Sequence, residues 1–407
     1  MPEGTGVCQR SDISRNARTK PVILTFIGNY LPGYKAGGIL RTIVNTVDHL
    51  RDDFDFWIVT RDRDLADDKP YDDVKINQWQ PVGNAMVYYL SPQSSTMKGI
   101  SKLIFSTKHD VLYLNSFFDR FTIKVLLIRK LSSVPFKPVI VAPRGEFVHG
   151  PLKLKYPKKF VFIQAARLLG LYKNVTWHAS NEFEGLDIVK VMKIKNDAIH
   201  YALDLPIKII TDGSIASTFQ SAHDCEGLRI VFLSRISREK NLDYALRILK
   251  KVKARVVFNI YGPAEDSTYW KECQALISQL PTNVEVNYLG SVNPNQVLHI
   301  FSRYDLFLFP TSGENYGHVI AESLSSGTPV LISDQTPWRH LQNDDLGWDI
   351  PLDDMDSFVV VIEKLALMSP VERSKNRAFI KTKIMERLLN PAVLEANRQL
   401  FRKQMHH

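Results

Sequence analysis

The segment from residue 310 to residue 330, PTSGENYGHVIAESLSSGTPV, constrains the fold of this chain more than any other stretch. Short apolar runs flank it, LFLF before and VLI at its end, and the pattern between them predicts a loop and then a helix over 318–326. Gly327 and Pro329 are typical of the end of a helix. The order of strand, loop, helix and strand indicates a parallel α/β sheet, in which a helix N-terminus and free backbone N–H groups point at one anion-binding spot.

Two carboxylates, Glu314 and Glu322, lie in this segment. Their spacing puts Glu314 in the loop and Glu322 inside the helix, on opposite sides of the turn rather than on one helical face. Two acids near a helix start are most often a solvated residue and a residue that favours the helix dipole. The neighbouring residues favour a binding role here, because Gly313 and Gly317 let a ligand approach the backbone closely.

Alternating strand-like and helix-like runs extend through the rest of the chain. Short apolar runs separated by helical patterns predict the strands of parallel, doubly wound sheets. The expected strands are residues 22–27, 56–60, 87–90, 111–114, 138–142, 175–179 and 198–203 in the first half, and 229–233, 256–261, 284–289, 306–309 and 329–332 in the second. The stretch 211–227 has no clear period and indicates a linker or surface structure.

Length and cysteine content limit the number of domains and the kind of compartment that we expect. The 407 residues are enough for two or three domains with their own cores. The three cysteines, Cys8, Cys225 and Cys273, form no C-x-x-C pair, which argues against a disulfide framework or a zinc cluster and indicates a reducing, cytoplasmic compartment. The chain has no apolar run of about 18 residues that would predict a transmembrane helix. Residues 1–20 lack the apolar core of a signal peptide, and we expect a mobile tail there.

Three motifs carry a resemblance to a known family. The run GENYG followed by VIAESLSSGTPVL resembles the E-x7-E signature of the family-4 retaining glycosyltransferases, which have the GT-B fold. Residues 230–249, IVFLSRISREKNLDYALRIL, resemble that family's strand, Arg-x4-Lys loop and helix, with Arg235 and Lys240 as the pair. The run FNIYGP at 258–263 resembles the family's strand that ends in glycine. The resemblance covers residues 20–385 and is stronger in the C-terminal half.

The resemblance implies two Rossmann-like, doubly wound α/β domains that face each other across a cleft. The implied organisation is a flexible tail at 1–20, an N-terminal acceptor domain at 21–205, a linker at 206–227, a C-terminal nucleotide-sugar-binding domain at 228–385 and a helix at 386–407 that crosses back to the N-terminal domain.

The resemblance also implies roles for individual residues. Family members hold the donor diphosphate without a metal, so cationic side chains must offset the charge on the leaving phosphate. Arg235 offers a planar donor fork and Lys240 a mobile point charge, while Glu314 faces the hydroxyls of the transferred sugar. These three residues are the implied catalytic set, and Glu322 is expected to bind the donor ribose. The implied donor-binding positions are Gly37, Gly38, Gly262, Asn315, Tyr316, Gly317, His318 and Glu322.

The N-terminal half departs from the family's common pattern. Where most relatives carry a His-Asp or similar pair, the strand here ends in the run APRG, which resembles a bacterial subgroup with PRG, often in surface polysaccharide assembly. Arg144 is therefore a candidate contact for the donor phosphate or an acidic acceptor; the alternative is a loop arginine tied to a nearby carboxylate. His178 is a second candidate contact, although a histidine at a strand end is more often a satisfied structural residue.

The net charge of +9 is concentrated in one segment. Residues 120–174 contain twelve Lys and Arg and one acid, Glu146, which gives +11. Such a basic, aromatic-bearing stretch can lie on an anionic membrane surface or form the solvated face of a core helix. No recognition motif supports nucleic-acid binding. We expect peripheral binding to anionic lipid at the inner face of the membrane through Lys153, Lys155, Lys158 and Lys159.

The sequence as a whole predicts a hexosyltransferase. By resemblance, the chain moves a sugar with retention from a nucleotide-diphosphate sugar to a glycan or lipid-linked glycan acceptor, with no cofactor and no metal, in surface polysaccharide or glycoconjugate assembly. The alternatives are another GT-B enzyme, such as a nucleotide-sugar epimerase or a phosphorylase, and a non-catalytic nucleotide-sugar-binding module.

Overall fold

The structure is a computed structural model that describes residues 20–65, 67–133, 135–147, 156–208, 227–388 and 390–405. Most of the predicted tail and linker, together with Lys153 and Lys155, therefore lies outside the described residues.

An eight-stranded sheet forms the first half of the chain. Its strands are β1 (Val22–Phe26), β2 (Asp55–Arg61), β3 (Trp79–Val82), β4 (Ala85–Leu90), β5 (Val111–Asn115), β6 (Val139–Ala142), β7 (Thr176–Ala179) and β8 (Ile199–Tyr201), in the spatial order β3-β4-β2-β1-β5-β6-β7-β8. The expectation of a parallel sheet is wrong at one edge, where β3 pairs antiparallel with β4. This strand was not predicted, because it is short and contains Pro81, which is tolerated only at a sheet edge.

Five described helices cover the first sheet. They are α1 (Gly38–Leu50), α2 (Met97–Ser106), α3 (Arg120–Leu131), α4 (Tyr156–Leu168) and α5 (Glu182–Met192). Side chains of Thr96, Asp119 and Asn181 accept backbone N–H groups in the first turns of α2, α3 and α5. Each such cap stabilises its helix by about 1 kcal/mol. These caps start helices directly after β5 and β7, so the first turns of α3 and α5 lie at the carboxyl edge of the sheet.

A six-stranded parallel sheet forms the second half. Its strands are β9 (Leu228–Leu233), β10 (Val256–Tyr261), β11 (Val284–Tyr288), β12 (Leu306–Phe309), β13 (Val330–Ser333) and β14 (Gly347–Ile350), in the order β11-β10-β9-β12-β13-β14. The helices are α6 (Leu242–Leu249), α7 (Ser267–Ile277), α8 (Val297–Phe301), α9 (His318–Ser325), α10 (Met355–Leu367) and α11 (Pro370–Leu388). Strands β9 to β13 lie within two residues of their predicted positions, whereas β14 was not predicted.

The last helix, α12 (Pro391–Met405), packs against the first sheet rather than the second. Phe401 is fully buried and meets the ring of Phe54 at a centroid distance of 5.4 Å and that of Phe56 at 5.8 Å. Arg398 and Arg402 donate to the two carboxylate oxygens of Asp53 at 2.7 and 2.6 Å. This contact returns the chain to the half in which it began.

The two sheets face each other with their carboxyl edges. Thr42 Oγ1 on α1 lies 2.8 Å from His318 Nε2 on α9, and Asn181 Nδ2 donates to the backbone oxygen of Asn315 at 2.7 Å. Each of these residues follows the carboxyl end of a strand, which is where open α/β sheets bind ligands. Within the described parts of the chain, no helix has the length and apolar character needed to cross a membrane.

Candidate active site

The turn before α9 forms the centre of the site. Gly317 has φ +78°, a conformation that favours glycine, and a Cβ there would lie 2.9 Å from Ile320 Cδ1. Trp338 Nε1 donates to the Tyr316 backbone oxygen at 2.6 Å, which holds the turn against the core of the second half. The helix start and its free backbone N–H groups are thus fixed toward the first half.

Lys240 and Glu314 form an ion pair beside this turn. Lys240 Nζ donates to Glu314 Oε1 at 2.6 Å, and the two side chains are only 10% and 16% exposed. Their loops are joined because Ser312 N donates to the Glu239 backbone oxygen at 2.9 Å. The predicted cation and the predicted sugar-facing acid therefore lie together.

Arg235 lies at the rim of the site. Its Nη1 is 3.5 Å from Glu265 Oε2, and its side chain is about half exposed at 47%. Gly262 lies directly beside it: φ is +134°, and a Cβ there would be 1.8 Å from the Ser234 backbone oxygen. Only glycine fits at this position, because the backbone there packs tightly against the Ser234 backbone next to Arg235.

Glu322 is held from the first half of the chain by Arg41. Arg41 Nη1 donates to Glu322 Oε1. Burial raises the pKa of Glu322, and the opposing effect of Arg41 only partly offsets this. The sequence reasoning missed Arg41. The sequence signal that could have identified it is its place in the first turn of α1. The helix dipole disfavours a positive charge there unless an acid is near.

Three buried side-chain atoms of this region have no hydrogen-bond partner among the described residues. They are Glu322 Oε2, Asn315 Oδ1 and Tyr316 Oη. Buried polar atoms in native proteins are nearly always hydrogen-bonded, so three such atoms on one turn and helix indicate the place of a ligand.

His318 joins the two halves through a buried polar network. Thr42 Oγ1 donates to Asp204 Oδ2 at 2.8 Å and lies 2.8 Å from His318 Nε2. Because the one hydroxyl proton of Thr42 goes to the carboxylate, His318 Nε2 must be the donor in the second bond. Burial lowers the pKa of His318 to about 4, so the ring is neutral at pH 7. Asp204, like Arg41, was not among the predicted site residues.

The predicted glycines Gly37 and Gly38 lie at the start of α1. Gly37 has φ +65° with open space around its Cβ position, and a Cβ on Gly38 would lie 3.8 Å from His318 Cδ2. Gly38 therefore lies beside the first residue of α9, whereas the space next to Gly37 is open.

Arg144 has protein partners on all sides. Its side chain is 3% exposed and donates to Asp204 Oδ1 at 2.7 Å and to Asn115 Oδ1 at 2.9 Å. Burial would lower the pKa of Arg144, but Tyr113, Asp204 and Glu184 raise it above its usual value. These contacts favour the alternative of a loop arginine tied to a nearby carboxylate over a ligand contact.

His178 is likewise satisfied within the protein. Its Nδ1 lies 2.8 Å from Tyr113 Oη and its Nε2 lies 2.9 Å from the Ala202 backbone oxygen. Burial lowers the pKa of His178 to about 3. The geometry favours a structural histidine over the predicted ligand contact.

No three or more His, Cys, Asp and Glu side chains come together as a metal site in the part of the chain that the structure describes.

Part of this chain matches a known family. Residues 215–383 match the model of the family described as glycosyl transferases group 1. An uncharacterized 41.2 kDa protein in the cps region of Klebsiella pneumoniae is 24% identical over 283 residues, which are 67% of this chain and 74% of that protein. A phosphatidyl-myo-inositol mannosyltransferase of Mycolicibacterium smegmatis is 27% identical over 169 residues, 40% of this chain and 41% of that protein.

Solved structures share the fold over nearly the whole chain. HepE of Anabaena, in complex with UDP and glucose, has a TM-score of 0.67 at 13% identity and covers 95% of this chain and 100% of its own. WaaG, a glycosyltransferase involved in lipopolysaccharide biosynthesis, has a TM-score of 0.62 at 12% identity, with 95% and 100% covered. These likenesses confirm the predicted GT-B fold class of two Rossmann-like α/β domains.

Proposed function

We propose that the chain is a group 1 glycosyltransferase, a hexosyltransferase that transfers a sugar with retention from a nucleotide sugar to a glycan or lipid-linked glycan acceptor. The family match over residues 215–383 and the likeness to known glycosyltransferases support this proposal. The proposed setting is surface polysaccharide or glycoconjugate assembly. The relative in the Klebsiella pneumoniae cps region supports that setting, as does the resemblance of the APRG run to the PRG subgroup.

One observation carries this proposal: a cation, an acid and unpartnered polar atoms converge between the two carboxyl edges. Lys240 and Glu314 meet at 2.6 Å, while Glu322 Oε2 and Tyr316 Oη are buried with no partner among the described residues. A nucleotide sugar offers both hydroxyls and phosphate oxygens to such groups. A ligand of this chemistry would satisfy atoms that the protein leaves unpaired.

The main requirement of the reaction is that the negative charge on the leaving diphosphate be neutralised. We assign its neutralisation to Lys240, Arg235 and the N-terminus of α9, without a metal ion. Lys240 is held in place by Glu314, and Arg235 is free enough at the rim to swing toward a phosphate. Preorganised charge of this kind stabilises the transition state more than the ground state.

Glu322 is assigned to the ribose. Arg41 holds its Oε1 and orients the carboxylate, which leaves Oε2 for a ribose hydroxyl. Glu314, fixed by Lys240, is assigned to the hydroxyls of the transferred sugar. Both acids thus bind hydroxyls rather than act as nucleophiles.

Retention is proposed to proceed by transfer on one face of the sugar. The bond from the anomeric carbon to the donor phosphate breaks, the acceptor oxygen bonds on the same face, and the leaving phosphate takes the acceptor proton. A double displacement would need a free carboxylate near the anomeric carbon. Six described acids at the carboxyl edge of the first sheet accept hydrogen bonds from protein groups, namely Asp62, Asp64, Asp119, Glu146, Glu184 and Asp204. A seventh, Glu182 in the first turn of α5, is exposed to solvent.

A panel of nucleotide sugars tests the proposal. Incubation of the full chain with each donor should release nucleotide with one of them, and NMR of the product should show the anomeric configuration of the donor. An inverted product would overturn the retaining assignment. Conversion of the donor to another nucleotide sugar without acceptor would show an epimerase instead.

The ribose assignment has its own test. Glu322→Ala should weaken donor binding about 10- to 100-fold by calorimetry, because hydrogen bonds to a charged group are worth about 1.5–3 kcal/mol. Glu386→Ala, at an exposed position on α11, serves as the matched control. Equal donor affinity in both variants would refute the role of Glu322.

We also propose that the basic segment binds an anionic membrane surface. On α4, Lys158 is exposed beside exposed Phe160 and Val161, and Leu168 is 90% exposed. Helix α5, which packs against α4, adds an exposed Phe183. Exposed apolar side chains on helices that also carry lysines fit the boundary between headgroups and acyl chains.

Co-sedimentation with vesicles that contain anionic lipid measures this binding. The wild-type chain should sediment with them and lose binding when Lys153, Lys155, Lys158 and Lys159 are all replaced by Glu. The same result for wild type and variant, at low and moderate salt, would refute the proposal.

A further inference from the structure

A second cavity lies at the carboxyl edge of the first sheet, apart from the Lys240 and Glu314 pair. It has a volume of about 240 Å³ and is lined by Arg61, Asp62, Arg63, Leu90, Pro92, Ser95, Arg120, Phe121 and Lys124. This is somewhat below the roughly 300–1,000 Å³ of pockets that hold whole small molecules, so it suits one group of a larger ligand. None of these residues has a part in the donor site described above.

The cavity is connected to the glycine loop of the donor site. Arg61 ends β2, and the loop after β1 passes over it: a Cβ on Gly28 would lie 3.0 Å from Asp119 Oδ2 and 3.4 Å from Arg61. The same loop continues to Gly37 and α1. A group bound in the cavity therefore lies on the acceptor half, along the edge that faces the donor.

The walls of the cavity are cationic and held in place. Arg61 Nη2 donates to Asp119 Oδ2 at 2.5 Å and lies over the Phe121 ring at 5.8 Å, and Arg63 Nε donates to Asp62 at 2.8 Å. The four cations Arg61, Arg63, Arg120 and Lys124 exceed the two acids Asp62 and Asp119 by two charges. Arg63 also donates from Nη2 to Asp62 and from Nη1 to the Asp68 backbone oxygen. Since a guanidinium has five N–H donors, both arginines keep N–H groups for phosphate oxygens.

The first turns of α3 place two more cations at the cavity. Arg120 is the first residue of this helix, Lys124 follows one turn later, and no acid lies in the first turn. Arg120 has no acidic partner among the described residues, and Lys124 donates only to Ser95. Cations at the positive end of a helix are unfavourable unless an anion is near. The Asp119 carboxylate both caps α3 and pairs with Arg61, so a single acid offsets the helix end and the cations around it.

We propose that this cavity binds a phosphate group of the acceptor. The inference rests on the proposed function and specifies its acceptor class: a phosphorylated acceptor, with the phosphate held by Arg61 at the end of β2, Arg63 just after it and the two cations of α3. Leu90, Pro92 and Phe121 form an apolar floor for the part of the acceptor next to that phosphate. The phosphate can come from a lipid-linked acceptor or from a soluble sugar phosphate, which share this chemistry.

Titration of the full chain with two phosphate probes tests the inference. The probes are citronellyl phosphate, a short isoprenoid phosphate, and glucose 1-phosphate, each added with and without the nucleoside diphosphate of the active donor. We expect saturable binding of at least one probe when the donor site is filled. Tighter binding of citronellyl phosphate indicates a lipid source, and tighter binding of glucose 1-phosphate a soluble one.

The Arg120→Gln/Lys124→Gln double variant should weaken that binding at least tenfold, because it removes two charge-assisted contacts. Arg63→Gln, on the opposite wall, should weaken it independently of any change in α3. Lys98→Gln/Lys102→Gln, which removes two exposed cations of α2, is the matched control and should bind as wild type. Saturable binding that is equal in all four proteins, or no binding to any, would overturn the inference.

Kinetics separate this inference from the proposed function. In the cavity variants, release of nucleotide from the donor in water should stay within twofold of wild type, while the KM for a phosphorylated acceptor rises at least tenfold. Absence of nucleotide release with every donor would contradict the proposed function and leave the probe titration as an independent measure of the cavity. Normal release combined with an unchanged acceptor KM would refute the cavity alone.

Discussion

Replacement of Lys240 by methionine should lower the rate of sugar transfer far more than it lowers the stability of the fold. The ammonium is 10% exposed and lies 2.6 Å from Glu314 Oε1. Methionine keeps the length of the side chain and removes its charge. In the proposed mechanism that charge acts on the leaving phosphate, so its loss should appear in the chemical step.

The expected losses of catalytic rate and of stability differ in size. Loss of one preorganised charge-stabilising group typically lowers kcat about 10²- to 10³-fold, or about 2.7–4 kcal/mol. Breaking a buried ion pair costs about 3–5 kcal/mol of stability, and this pair retains some solvent contact, so we expect about 1–3 kcal/mol. For a domain of this size each kcal/mol lowers Tm by about 2–4 °C.

Single-turnover kinetics at saturating donor, together with thermal unfolding, measure both quantities. Lys240→Met/Glu314→Gln replaces the ion pair by neutral groups and should recover most of the lost Tm without recovery of the rate. Lys250→Met, at an exposed position after α6, is the control. A Lys240→Met enzyme with a lowered Tm but a rate within about twofold of wild type would refute the reasoning, since Lys240 would then only partner Glu314.

Two further predictions concern stability. Gly262→Ala would place a Cβ 1.8 Å from the Ser234 backbone oxygen, so its free energy of unfolding, measured by urea titration, should fall by at least about 3 kcal/mol. The control Gly83→Ala, which has open space at its Cβ, should lose about 1 kcal/mol, and equal losses would contradict the steric argument. Burial lowers the pKa of His178 to about 3. As pH drops from about 6.5 toward 3, the imidazole stays neutral in the folded protein but gains a proton in the unfolded chain, so the free energy of unfolding falls. Relative to His178→Gln, wild type should lose about 2 kcal/mol between pH 7 and 5, and a constant difference would refute this.

Local hydrophobic patterns in the sequence predicted most of the strands of the fold. Apolar runs identified strands such as β1, β5 and β12 because a strand buried on both faces is apolar along its whole length. The strands that escaped prediction, β3 and β14, lie at sheet edges. There Pro81 in WQPV and Asp349 in GWDI break the apolar run, since an edge is only partly buried.

The residues of the candidate site also fall into those that the sequence predicted and those that it did not. Lys240, Glu314 and Glu322 could be predicted because each belongs to a loop or helix that follows its own strand, so local spacing sets its place. Arg41 and Asp204 could not, because their partners lie far along the chain in sequence. Which acid a given cation meets there depends on how the two sheets dock.

The sequence by itself determined most of the strands and the local positions of the glycines, acids and cations that we assign to the nucleotide sugar, because each position depends on neighbours within a few residues. Only the tertiary structure decided that Arg144 and His178 are buried among protein partners, and that Arg41 reaches Glu322 from the opposite half. Burial and charge pairing depend on the solvent that each side chain loses when the two halves come together. That loss is a property of the docked surfaces and is not encoded in any one segment.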